Sequence, residues 1–176
     1  IINMFWNSYQ FYALYKDSIP HGAQSPRTHL LDRWVMARLD ETVNTMTDAM
    51  NAYDMPRACK SMREMIDDYS TWYVRRSRER AKGDGAADTL ATQREVLVTL
   101  AKLSAPIMPF IAESVYRGVL GEGSVHLESW PQARSTPGTE TLLSDMSAVR
   151  GAVSLALEAR AKAGIKVRQP LSRLTI

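Results

Sequence analysis

Apolar side chains recur at every third or fourth position along most of the chain, the period of an α-helix with one buried face. Ile2, Phe5, Trp6, Tyr9, Tyr12 and Ala13 form the first such stripe, over residues 2–17. Pro20, Gly22 and Pro26 interrupt the pattern and predict a loop over 18–29. A second helix is predicted over 30–53, with Leu31, Val35, Leu39, Val43, Met46, Met50 and Tyr53 inward. Asp54 suits the N-cap of a third helix and Pro56 its first turn, where a missing N–H costs nothing. That helix is predicted to run to about Ala81 along Ala58, Met62, Met65, Ile66, Tyr69, Trp72 and Tyr73, until Lys82-Gly83-Asp84-Gly85 breaks it.

The second half of the chain continues in the same way. A fourth helix from about Asp88 places Val96, Leu97, Leu100, Leu103 and Ile107 inward. Pro106 and Pro109 kink or end it before a fifth segment through Phe110, Ile111, Val115 and Val119. Gly121-Glu122-Gly123 reads as a turn, and the alternation over 124–131 predicts one extended, strand-like segment. A Ser/Thr/Pro/Gly linker near 134–141 leads to a sixth helix through Leu142, Met146, Val149, Val153, Ala156 and Leu157, stopped by Gly164. Residues 165–170 then read as extended. With no alternation of strand and helix to build a parallel sheet, the fold class is all-α. A helical bundle occupies residues 1–133, and 134–176 supply a linker, one appended C-terminal helix and the start of a junction region.

Composition narrows the function classes. Apolar residues at 45% suffice for a core, and 23% charged residues suit a soluble domain. Lys and Arg number 22 against 19 Asp and Glu, so the net charge of +3 does not by itself predict a nucleic-acid partner. Cys59 is the one cysteine, which excludes a disulfide framework or a multi-cysteine zinc site and points to the cytosol. It is expected to be a small packing residue on its helix. The opening residues lack the features of a signal peptide. No apolar run approaches the ~18 residues needed to span a bilayer. Both ends of the sequence read as cut from a longer polypeptide.

Catalytic patterns fail in turn. Gly83-x-Gly85-x-x-Asp88 half matches a dinucleotide loop, but it follows a helix and lacks the third glycine. His21, His29 and His126 have no partner at metal-ligand spacing, and the first two are expected to be solvated. Asp40-Glu41 and Asp67-Asp68 are helix neighbours about 100° apart, which suits pairing with nearby arginines better than shared chemistry.

Charge placement is more informative. Arg75, Arg76, Arg78, Arg80 and Lys82 crowd the end of the third helix, directly after Trp72 and Tyr73. On a regular helical wheel Arg76 and Arg80 continue the apolar face past the end of the core, while Arg75 and Arg78 point outward. Glu79 is spaced to reach Arg75 or Arg76, which leaves Arg78 and Arg80 without a good local carboxylate. Such a cluster beside aromatics suits a phosphate backbone and stacked bases. The plainer alternative is a solvated helix end whose cations complement the helix dipole. A second basic run holds Arg160, Lys162, Lys166, Arg168 and Arg173, of which Lys162, Lys166 and Arg168 form a second candidate patch.

Trp72-Tyr73-Val74-Arg75-Arg76-Ser77-Arg78-x-Arg80, preceded by Asp67-Asp68, resembles the hallmark of the anticodon-binding domain of isoleucyl-tRNA synthetases. Four further blocks resemble that family in its order: residues 31–39, 97–113, 124–131 and 159–171. The Arg-Arg-Ser-Arg run favours the isoleucyl branch over the related valyl and leucyl enzymes, which share the fold. The resemblance implies the helical bundle of a class Ia aminoacyl-tRNA synthetase and, as partner, the anticodon stem-loop of tRNA(Ile). Trp72, Arg75, Arg76, Arg78, Arg80 and Lys82 are the tRNA-facing candidates. The further partners implied are the remaining domains of the same synthetase. ATP with Mg is implied for the full-length enzyme; no cofactor, metal site or catalytic residue is expected here. Lys60-Ser61-Met62-Arg63 is similar to the family's lysine-rich ATP loop only superficially, because Met62 lies on the core face. A helical protein-interaction module with an aromatic N-terminal helix is the alternative from another class.

Overall fold

The structure, a computed structural model, describes residues 1–18, 26–134 and 136–173. Its helices are α1 (Ile2–Tyr15), α2 (Leu30–Asn51), α3 (Met55–Asp67), α4 (Ala86–Ser104), α5 (Pro109–Leu120) and α6 (Thr139–Lys162). No strand occurs among the described residues. The chain falls into two compact units, Ile1–Thr136 and Pro137–Ile176. No described helix is long and apolar enough to cross a membrane.

The first unit is a bundle in which α2 packs chiefly on α3 and α4, and α5 packs on α4. Its core is the stripe that periodicity predicts: Val35, Leu39, Val43, Met46, Met62, Met65, Ile66, Tyr69, Tyr73, Leu97, Leu100 and Leu103 are buried. Asp54 caps α3 as predicted, its carboxylate accepting from the Arg57 N–H at 3.1 Å, with Pro56 in the first turn. α1 crosses α5 at close range, the Tyr9 ring lying against Gly118, where an added Cβ would stand 2.2 Å from the Tyr9 hydroxyl. Lys16 Nζ ties the far end of the same crossing to the Gly118 carbonyl at 3.1 Å.

Several expectations are corrected. Ile2 and Trp6 on α1 are exposed, and Phe5, Ser8 and Tyr12 form the buried face. Tyr53 is exposed because the chain turns at positive φ there, after α2 has ended. Phe110 is exposed as well, at the start of α5. Cys59 is only half-buried and lines an open cleft with Ile1, Met62 and Met108. The 124–131 segment is not a strand: residues Val125–Leu127 wind as a 3-10 turn, held by Glu113, which accepts from the Val125 N–H at 2.9 Å and from Ser124 Oγ. Trp130 then donates to Thr47 Oγ at 2.8 Å and fastens this segment to α2. Residues 18–25, with His21, fall largely outside the described residues, whereas His29 caps α2 by accepting from the Leu31 N–H at 3.1 Å.

The third helix departs most from expectation. It is regular only to Asp67; Asp68–Val74 winds as a π-helix, Arg75–Ser77 returns to one α-turn, and Arg80–Lys82 closes as a 3-10 turn. A π-turn takes up an extra residue, which advances everything after it by about 100° around the axis. The inward positions past Tyr73 are therefore Val74, Ser77 and Ala81, and Arg76, predicted on the apolar face, is turned out to solvent.

In the second unit, α6 ends as predicted. Gly164 takes positive φ, its N–H bonds to the Ala161 carbonyl at 3.1 Å, and the Ile165 N–H reaches the Arg160 carbonyl at 2.9 Å. Those paired bonds define the Schellman stop of a helix. Residues 165–170, expected to be extended, instead curl: the Gln169 N–H bonds to the Lys166 carbonyl at 3.0 Å, and Arg160 donates to the Val167 carbonyl at 3.1 Å.

Candidate nucleic-acid interface

The basic run beyond α3 is fixed in place by α2. At the start of the π-turn, Arg38 Nε donates to the buried Asp68 carboxylate at 2.9 Å while its guanidinium also pairs with Glu41. This is the arginine partner expected for one acid of each adjacent acidic pair. Further along, Asp32 is fully buried in the first turn of α2 and grips two groups. The Tyr73 hydroxyl donates to its Oδ1 at 2.7 Å, and Arg80 Nη2 donates to its Oδ2 at 2.6 Å. Burial first, and the neighbouring Asp32 charge second, push the Tyr73 phenol well above its ordinary range. Within the run, Ser77 Oγ donates back to the Tyr73 carbonyl at 2.7 Å.

These ties sort the cluster into two kinds of arginine. Arg80, expected to lie beyond the core without a carboxylate, is largely enclosed and ion-paired to Asp32, 48 positions earlier in the chain. No wheel drawn on one helix shows such a partner. Arg75, Arg76 and Arg78 are exposed. The Arg76 guanidinium lies 3.6 Å over the Trp72 ring, a cation–π stack that presents a flat cation on an aromatic base. The Arg78 guanidinium sits 5.7 Å from the ring of Phe11 on α1. Lys82 is exposed and reaches Glu79 at 3.7 Å. The structure thus brings Trp72, Arg75, Arg76, Arg78 and Lys82 to one end of the bundle. It adds Phe11 and Asp32, which sequence reasoning did not single out, and gives the core aromatic Tyr73 a polar tie to Asp32. The available signal was an acid, Asp32, standing in the first turn of a helix whose neighbours Leu31, Trp34 and Val35 are apolar.

The second candidate patch is built differently. Lys162 pairs with Glu158 one turn back at 2.6 Å, and both side chains are mostly exposed. Lys166 and Arg168 stand exposed on the curl that Arg160 holds. Among the described residues no three His, Cys, Asp or Glu side chains are grouped to hold a metal. Exposed, positioned guanidinium groups beside an indole can grip phosphates and stack on an unpaired base, and they hold no nucleophile or acid–base pair for covalent chemistry.

Comparison with known proteins identifies the family. The family described as the anticodon-binding domain of tRNA ligase matches residues 32–175. Among curated proteins, the chain is 39% identical to an isoleucine–tRNA ligase of Deinococcus radiodurans, over 99% of this chain and 17% of that protein. It is 40% identical to the isoleucine–tRNA ligase of Nocardia farcinica and 41% identical to that of Streptomyces coelicolor, over 97% and 98% of this chain. The match takes in 16% and 17% of those two relatives, so the chain spans about one sixth of the length of each protein it resembles. The family match covers most of the chain, and its all-α bundle is in keeping with it: the chain belongs to the anticodon-binding domain family of tRNA ligases.

Proposed function

We propose that this chain is the part of an isoleucine–tRNA ligase that holds the anticodon arm of tRNA(Ile), and that the end of the bundle carrying Trp72, Arg75, Arg76, Arg78 and Lys82 is the contact. The observation that carries this reading is the Arg76 guanidinium stacked on Trp72 between two further exposed arginines. A phosphate backbone offers such a cluster a row of anions, and a splayed loop base supplies a second stacking face. Arg80 belongs to the scaffold in this reading, because its charge is already met inside the bundle. Lys162, Lys166 and Arg168 stand as a secondary contact. The isoleucyl assignment over valyl or leucyl relatives rests on the named relatives together with the Arg-Arg-Ser-Arg run.

The whole ligase would join isoleucine to tRNA(Ile) with ATP and Mg, in the cytoplasm. Residues 1–176 offer no glycine-rich loop to cradle a triphosphate, so they do not fit ATP and no step of that chemistry runs through them. Their part is positional: by gripping one end of the tRNA they set where the acceptor end can reach, in concert with the rest of the synthetase. The test is a titration of the full-length ligase with tRNA(Ile) and with a non-cognate tRNA across a range of salt, repeated with Arg75 and Arg78 changed to Ala. A steep loss of affinity with salt is expected, shallower by about one unit of slope for each phosphate contact removed. Affinity and slope unchanged by the two substitutions would overturn the assignment of this surface.

A further inference from the structure

The exposed arginines do not stand on a continuous helix. Between Asp68 and Lys82 the backbone passes from π-turn to α-turn to 3-10 turn, so no uninterrupted ladder of i to i−4 bonds fixes the direction in which Arg75, Arg76 and Arg78 point. The buried polar ties that hold both ends of this segment come from α2. Asp32 binds Tyr73, two residues before Arg75, and Arg80, two residues after Arg78. One carboxylate therefore staples both ends of the segment that presents the three cations. The staple lies inside the protein, with the Asp32 side chain about 1% exposed and that of Arg80 22% exposed. The Arg80 guanidinium has no substitute at hand: its other terminal nitrogen, Nη1, is buried without a hydrogen-bond partner.

We propose that Asp32 is a positioning residue for tRNA binding: through Tyr73 and Arg80 it sets the direction of Arg75, Arg76 and Arg78, and it touches no RNA itself. This rests on the reading of the arginine cluster as the tRNA contact. Charge alone makes the opposite prediction. Asp32→Asn removes an anion from a chain of net charge +3 and would tighten binding of a polyanion if long-range electrostatics were its only effect. A positioning role predicts weaker binding, because Arg80 loses its charged partner and the segment is free to turn. The neutral amide keeps the size of the side chain, so packing is little disturbed.

The experiment measures Kd of the full-length ligase for a tRNA(Ile) transcript in a double-mutant cycle, pairing Asp32→Asn with the joint change of Arg75 and Arg78 to Ala. Asp32→Asn alone should weaken binding by about tenfold, within the span of couplings found inside one hydrogen-bonded network. In the Arg75/Arg78 background the same change should cost no more than about threefold, because two of the three groups it positions are gone. Tyr73→Phe removes one arm of the staple and leaves the ion pair. It should weaken binding by about threefold with the same dependence on the arginines, and it decides the matter should Asp32→Asn fail to fold. Equal or tighter binding by folded Asp32→Asn, or losses that simply add, overturns the positioning role while leaving the arginine contact standing. If the Arg75/Arg78 change by itself leaves Kd unaltered, the underlying reading fails first and the positioning role falls with it.

Discussion

The two basic clusters look alike in sequence and are held in opposite ways. The cluster at 75–82 rides on backbone of mixed helical type, yet it is fastened by contacts from α2, some 30 to 48 positions away: Arg38 to Asp68, and Asp32 to Arg80. The cluster at 160–168 follows a regular helix with a Schellman stop, and every tie described for it is local, Lys162 to Glu158 and Arg160 to carbonyls a few residues on. Long-range fastening gives cations one fixed direction relative to a core, whereas local fastening leaves them to follow their own helix end. Recognition of a folded RNA needs the first arrangement, because phosphate contacts position the partner only if they are themselves positioned.

The largest effect should come from the core beneath the first cluster. Met62 is buried on α3, so Met62→Asp places an unpaired carboxylate in the bundle. The cost should be several kcal/mol, comparable with the ~5–15 kcal/mol that holds a domain together. Thermal melting reads it, and a midpoint within a few degrees of the parent would mean that the cluster stands on some other core. Next in size is Arg80→Ala, which strands the Asp32 carboxylate and should cost about 3–5 kcal/mol. Arg160→Ala, its counterpart in the second cluster, releases carbonyls to water and should cost no more than about 1 kcal/mol. Denaturant midpoints that fell equally would erase the distinction between the clusters.

Smaller in stability, and larger in binding, is the joint change of Arg75 and Arg78 to Glu. Both side chains are exposed, so the fold should hold within about 0.5 kcal/mol. Affinity for tRNA should fall and the salt slope flatten, and Lys162→Glu with Lys166→Glu should do less of both. A greater loss from the lysine pair would make the second cluster the principal contact. At neutral pH the last effect vanishes. Tyr69 and Tyr73 are pushed well above the ordinary phenol value of 10.0 by burial, and burial carries Tyr116 to about 12. A raised folded-state pKa adds nothing to the pH dependence below the unfolded value and loses stability as pH climbs past it. The first unit should therefore weaken from about pH 10 upward. Residues 137–176 contain no tyrosine and should show no such loss, which circular dichroism of the full chain against pH would reveal as a partial transition.

Periodicity made the bundle legible because burial repeats along α2, α3 and α4: Val35 to Met46, Ala58 to Tyr69 and Val96 to Leu103 are inward as their spacing predicts, whereas Val149 and Leu157 on α6 are exposed. It also made the arginine run visible as a cluster. It failed where the backbone changes period, since the wheel that places Tyr73 inward also places Arg76 inward, and the π-turn breaks that inference. It failed again for Arg80, whose partner is set by the packing of two helices and not by any spacing within one. The 124–131 alternation misled for a related reason. A strand needs a neighbouring strand to bond with, and here the Glu113 carboxylate takes up the free backbone donor at Val125 instead.

The extra residue in the Asp68–Val74 turn has a consequence for how this protein tolerates changes of length. Deleting one residue there, Thr71 for instance, would restore an ordinary helix. It would also swing everything downstream back by about 100°, aiming Arg76 at the core and pulling Arg80 off Asp32. The segment thus carries its instruction in a residue count as much as in residue identities. Single-codon insertions and deletions between 68 and 74 should be among the least tolerated in the chain, more damaging than side-chain replacements at the half-buried Ser70 and Thr71 of the same stretch.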